Sequence, residues 1–129
     1  MFKLFKKNQA TIPVVKEIPA AAGTYAVGQT LGFNASGLLE QSGGTNVPEY
    51  ICACATSVAS GFAIAVNPVY KDVEYLTTFS ADGTSIKAGE KVTISTTFDS
   101  VTATKTNGVA EVIEKLGTGA TGTEVIVKF

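Results

Sequence analysis

Gly83-Thr84-Ser85-Ile86-Lys87-Ala88-Gly89-Glu90-Lys91-Val92-Thr93-Ile94 opens the stretch that decides the fold, which runs on to Phe129. A turn leads into alternating Lys91-Val92-Thr93-Ile94. A second turn leads into Val109-Ala110-Glu111-Val112-Ile113, and a third, around Gly117 to Gly122, into Thr123-Glu124-Val125-Ile126-Val127-Lys128-Phe129. Short β-branched runs bounded by glycine are how half-buried antiparallel strands are written. The segment that reads most nearly as a helix is Ala110-Glu111-Val112-Ile113-Glu114-Lys115-Leu116, with Glu111 and Lys115 four apart. Its β-branched Val and Ile and its flanking glycines favour a strand.

Upstream, the same grammar recurs. Gly23-Thr24-Tyr25-Ala26-Val27-Gly28 is a turn before Gln29-Thr30-Leu31-Gly32-Phe33, with Leu31 and Phe33 on one face. Leu38-Leu39-Glu40, Tyr50-Ile51-Cys52-Ala53-Cys54-Ala55 and Gly61-Phe62-Ala63-Ile64-Ala65-Val66 follow as strand candidates. Between the halves Tyr75, Thr77 and Phe79 alternate. Placed side by side, Gly28-x-x-Leu31-x-Phe33 matches Gly89-x-x-Val92-x-Ile94, Glu49-Tyr50-Ile51 matches Glu111-Val112-Ile113, and the run from Gly61 matches the run from Gly122. Residues 23–66 and 83–127 thus read either as a weak internal repeat of roughly 45 residues or as two runs of one glycine-strand pattern. The fold expected is mainly β, a small β-barrel, β-tulip or sandwich of short antiparallel strands with at most one short helix.

The chain has 129 residues, enough for one domain that buries roughly two-thirds of its unfolded surface. Hydrophobic residues make up 45 % and charged residues 16 %, a balance that argues against general disorder. Residues 1–19 read as an extended, basic N-terminal arm and 20–129 as one β-rich domain. Lys3, Lys6, Lys7 and Lys16 precede any acidic residue, which leaves six Lys against eleven Asp and Glu in the remainder. Pro13 and Pro19 donate to no ladder, so Thr11–Pro19 belongs at a sheet edge. The arm carries the candidate partner-contacting residues Phe2, Lys3, Leu4, Phe5, Lys6, Lys7 and Lys16, apolar anchors among cations.

Several function classes lose their usual chemistry. There is no His, Arg or Trp, so the common acid/base group at neutral pH and the bidentate phosphate fork are missing. No nucleophile stands with a base, and the reading is non-enzymatic, without cofactor or metal. Cys52 and Cys54, two apart, lack the further ligands of a tetrahedral zinc site and read as small buried residues. Asp72 and Glu74 read as an exposed strand face rather than a calcium ligand pair. An acidic body without Arg is a poor nucleic-acid partner. No apolar run has the length of a membrane span, and the N-terminus lacks a secretory h-region, so expression in a cytoplasm without export by a standard signal is expected.

A further pattern lies in the order of these pieces: ICACATSVASGFAIAVNPVYKDVEYLTTFSADG (51–83), GTSIKAGEKVTIS (83–95) and VTATKTNGVAEVIEKLGTGATGTEVIVKF (101–129). Over residues 20–129 the chain resembles the head decoration, or capsid cement, proteins of tailed bacteriophages. That resemblance implies a β-tulip or barrel-like body on the outer surface of the virion's mature capsid, with the major capsid protein as partner. It also implies homotrimers on local threefold axes and an N-terminal arm that reaches onto the shell. The basic Met1–Lys7 and the paired Cys depart from the simplest members. An immunoglobulin-like module that binds host cells or glycans is the alternative, since it shares the same strand grammar.

Overall fold

A computed structural model describes residues 1–7, 15–71 and 73–129, with Lys6 and Lys7 described by their backbone alone. The expected Thr11–Pro19 segment is therefore described only from Val15, and Asp72 lies outside the described residues. Twelve strands run in chain order: β1 Lys3–Lys7, β2 Lys16–Pro19, β3 Gly23–Tyr25, β4 Thr30–Phe33, β5 Leu39–Gln41, β6 Tyr50–Cys52, β7 Thr56–Val58, β8 Ala63–Pro68, β9 Val73–Thr78, β10 Lys91–Val92, β11 Ala110–Lys115 and β12 Glu124–Lys128. No helix occurs among the described residues, and Ala110–Lys115 is a strand. Its β-branched residues suit the pleat, with Val112 fully buried and the exposed Glu114 facing solvent.

The strands form two open five-stranded sheets, in orders β2-β8-β6-β4-β5 and β1-β9-β12-β11-β10, with β3 and β7 as a separate pair. All strand pairings are antiparallel. The fold is mainly β as expected, and of the alternatives the closed barrel does not form. Each sheet instead curls until the end of one strand touches the far side through a single parallel bridge, Ala20 to Leu39 in the first half and Phe79 to Val101 in the second. Each curl encloses its own core. Leu31, Leu39, Cys52, Ile64 and Val66 fill the first, and Val73, Tyr75, Phe79, Val92, Val112, Val125 and Val127 are among those filling the second.

The two halves repeat one hydrogen-bond plan. Ala20 N–H donates to Phe62 O and Phe79 N–H to Thr123 O, at 2.9 and 3.0 Å. Gly61 N–H donates to Ala20 O as Gly122 N–H does to Phe79 O, and Ala21 to Leu39 as Ser80 to Val101. Gly28 and Gly89 both adopt left-handed φ, 84° and 89°, and Gly61 and Gly122 do so at 90° and 86°. A Cβ is strained in that region, so these turns select glycine. The strands that the sequence match set side by side occupy the same places: β4, β6 and β8 are neighbours in one sheet, as β10, β11 and β12 are in the other. The middle alignment slips by two residues. Cys52 and Val112 are the equivalent positions, each donating its N–H to the carbonyl of Gln29 or Glu90 and accepting from the N–H of Gly28 or Gly89.

Two expected faces differ from the structure. Strand alternation would set Phe33 on one face with Leu31, and Phe62 on one face with Ile64 and Val66, yet Phe33 and Phe62 are 45 % and 66 % exposed. Both sit at strand ends next to turns, where the sheet no longer covers them. Cys52 is buried and Cys54 exposed, since β6 ends at Cys52 and the strand alternation stops there.

The halves are tied by backbone contacts. Gly44 and Ile94 form an antiparallel bridge, and Thr30 N–H donates to Phe98 O at 2.8 Å. Phe98 takes φ 65°, and its ring lies where a Cβ on Gly43 would be, 2.9 Å away.

Candidate functional site

The N-terminal strand is where structure and sequence reading meet and partly part. Residues 3–7 add to the body as the outer strand of the second sheet, with Lys3 opposite Leu76 and Leu4 opposite Tyr75. Residues 16–19 form the outer strand of the first sheet. The described parts of the 1–19 segment are thus sheet edges of the body, not a separate arm. Pro19 stands on such an edge, where its missing N–H breaks no ladder.

Phe2 is unavailable as a surface anchor. It is 3 % exposed, belongs to the core of the second half and packs at a tilt on Phe129 with ring centroids 5.5 Å apart. Its N–H donates to Gly28 O at 3.0 Å, so it also ties the two halves together. Burying a large aromatic ring gains more than a flexible surface contact offers, so Phe2 sits in the core rather than on an arm.

Leu4 and Phe5 are exposed by 48 % and 50 %, and Lys3 is exposed beside them. Consecutive strand residues ordinarily point to opposite faces. Here the register with β9 shifts between Leu4 and Lys6, and that irregularity leaves both apolar side chains outside. Lys16 is exposed on the other edge, and the side chains of Lys6 and Lys7 lie outside the described residues. The structure therefore brings Lys3, Leu4 and Phe5 together, sets Lys16 on the opposite sheet and withdraws Phe2.

Two concavities accompany this strand. An apolar groove of about 480 Å³ runs between the halves, walled by Leu4, Val15, Val27, Ile51, Pro68 and Tyr75. Leu4 thus continues an apolar surface. The second, about 350 Å³ and polar, lies on the first half between Glu40, Glu49, Asn46, Ser42 and Phe33. Phe33 meets Tyr50 edge-on there, with centroids 5.9 Å apart. Sequence reasoning missed both, because the groove gathers residues from six segments and the concavity from three, and no local pattern announces their meeting.

Burial pushes the Cys52 thiol up from its ordinary value, and it donates to the Cys54 carbonyl at 3.3 Å. A thiol held protonated in this way is an inert packing group. Among the described residues no three His, Cys, Asp or Glu side chains gather as a metal site, and no helix is long and apolar enough to cross a membrane. The N–H of Thr84 holds the Asp82 carboxyl below its usual value, and the N–H of Lys87, with the Lys105 ammonium, does so for Glu90. Asp82 caps its turn as an exposed acid and Glu90 as a half-buried one. No family model matches the chain, and no curated protein matches its sequence.

Proposed function

We propose that this chain is a non-enzymatic decoration protein of a tailed-bacteriophage head, which binds the outer surface of the mature capsid and cements neighbouring capsomers. One observation carries the reading. A basic edge strand holds Leu4 and Phe5 outward together, while Phe2 pins the strand in the core. Such a strand is a preformed contact element, and it presents its apolar side chains without the ordering cost of a free arm. The resemblance over residues 20–129 supports the same assignment. The major capsid protein is the partner in this reading, and the protein acts as a homo-oligomer, a trimer by the resemblance.

The mechanism is linkage. A protein that binds only the expanded shell stabilises it by RT ln(1 + [L]/Kd), about 2.7 kcal/mol per site at a hundredfold excess over Kd. Several contacts per oligomer raise the effective concentration, so each can be modest. Heads prepared with and without the protein test this by the temperature at which packaged DNA is released. A higher release temperature with the protein bound is expected, and an unchanged one overturns the cementing role.

The polar concavity favours a second reading, a surface module that binds glycans. Carboxylates, an amide and a hydroxyl around an exposed aromatic ring suit a sugar's hydroxyl groups and apolar face. Binding of the isolated protein to bacterial cells, lost on Glu40→Ala and Glu49→Ala, distinguishes it from capsid binding.

A further inference from the structure

The two halves repeat one backbone plan, yet their outer edges are finished differently. β2 in the first half and β9 in the second hold equivalent places, and each serves two purposes along its length. Its C-terminal end closes the curl: Ala20 bridges to Leu39, and Phe79 to Val101. Its N-terminal part lies beyond the curl. In the second half that part, in β9, accepts β1, with Lys3 opposite Leu76 and Lys6 opposite Glu74.

The equivalent residues follow from the shared hydrogen bonds. Because Ala20 and Phe79 are equivalent, Glu17 corresponds to Leu76 and Val15 to Glu74. Ala20 N–H bonds to Phe62 of the strand next to β2, so alternation turns Ile18 and Lys16 toward β8 and Glu17 and Val15 outward. Pro19 corresponds to Thr78, which lies beyond the residues that β1 pairs with, so its missing N–H leaves the accepting part of the edge intact. Among the described residues no strand pairs with this edge. Val15 is 56 % exposed there.

We infer that the outer edge of β2, at Val15 and Glu17, accepts the outer edge of β1 from a second copy of this chain. The occupant follows from the twin. The same kind of edge already holds Lys3–Lys7 in the second half, so the chain contains a strand whose shape and length fit. β1 carries Lys3, Lys6 and Lys7 and no acid, and the accepting strand offers them Glu17, beside its own Lys16. The far side of β1 has no partner among the described residues either. Each copy therefore offers one donor edge and one acceptor edge. The contact is head-to-tail and generates a closed ring or an open filament. It uses main-chain groups of the isolated chain and does not depend on capsid binding.

Sedimentation velocity of the full chain, from micromolar to submillimolar concentration, tests this with Val15→Pro and Glu17→Pro. Each substitution removes one outward N–H and no bond to β8, so the thermal midpoint should stay near that of the wild type. The wild type is expected to assemble, and each variant to assemble about tenfold more weakly, the loss of one interchain main-chain bond. A wild type that stays monomeric throughout overturns the inference, and so do variants that assemble equally well. Should Glu17→Pro fail to fold, hydrogen exchange of the Glu17 amide in the wild type decides. Slower exchange in the assembly supports the contact, and equal exchange in monomer and assembly overturns it. Failure here leaves the capsid reading standing, because that reading is measured on heads.

Discussion

The half that ends at Pro68 and the half that begins at Val73 share a backbone plan and differ in what fills it. Ala20 and Phe79 make the same hydrogen bonds and the same parallel bridge, yet one is a methyl group and the other a ring 1 % exposed. Gln29 and Glu90 accept from the N–H groups of Ala26 and Lys87 in the same turn, one as an amide and the other as a carboxylate. Among the described residues the first half leaves the edge of β2 uncovered, with Pro19 at its end, whereas the second covers the equivalent edge of β9 with β1. Glycine turns and main-chain bonds set the architecture. Side chains then adapt it, one half to a small core and the other to a core that also takes in the N-terminal Phe2.

The sharpest way to break this comparison is to remove the ring that distinguishes the second core. Phe79→Ala is expected to cost about 4–5 kcal/mol in a urea titration, at the upper end for a buried aromatic. A cost below about 2 kcal/mol would mean that the second half does not depend on that ring. Phe2→Ala comes next, at about 3 kcal/mol. A residue on a free arm would change stability by less than about 0.5 kcal/mol, the value expected for Leu4→Ala.

The twin glycines give a finer test. Gly89→Ala meets open space and only the left-handed backbone, so about 1–2 kcal/mol is expected. At Gly28 a Cβ would also run into the side chain of Met1, and Gly28→Ala should cost about 1 kcal/mol more than Gly89→Ala. Equal costs would show that Met1 does not pack there.

The smallest effect is one of pH. The folded state holds Glu90 below the ordinary 4.5, first through the N–H of Lys87 and then through Lys105. A lowered carboxylate contributes stability that is present above 4.5 and lost as pH falls through the folded value. Glu90→Gln, which makes the turn resemble that of Gln29, should flatten the acid limb of a stability–pH curve while Asp82 keeps its share. An unchanged acid limb would remove Glu90 from the comparison.

Strand grammar made the class of fold legible, and the turns at Gly28, Gly61, Gly89 and Gly122 carried the match between halves. The equivalence of β2 and β9 was hidden. Lys16-Glu17-Ile18-Pro19 and Tyr75-Leu76-Thr77-Thr78 share a backbone role and no side-chain pattern. Phe2 was legible as an apolar anchor but not as a core residue, because its partner Phe129, which also packs on Tyr75, is far away in sequence. Leu4 and Phe5 were found by composition. That both face outward depends on an irregular register, which residue identity does not encode.

The central claim is that Leu4 and Phe5 on β1 contact the capsid. Co-sedimentation of the wild type and of Leu4→Glu/Phe5→Glu with mature heads tests it most directly, with thermal melts to verify that both fold. The wild type should pellet with the heads and the folded variant should remain in the supernatant. A wild type that stays in solution, or a folded variant that pellets equally, contradicts the account.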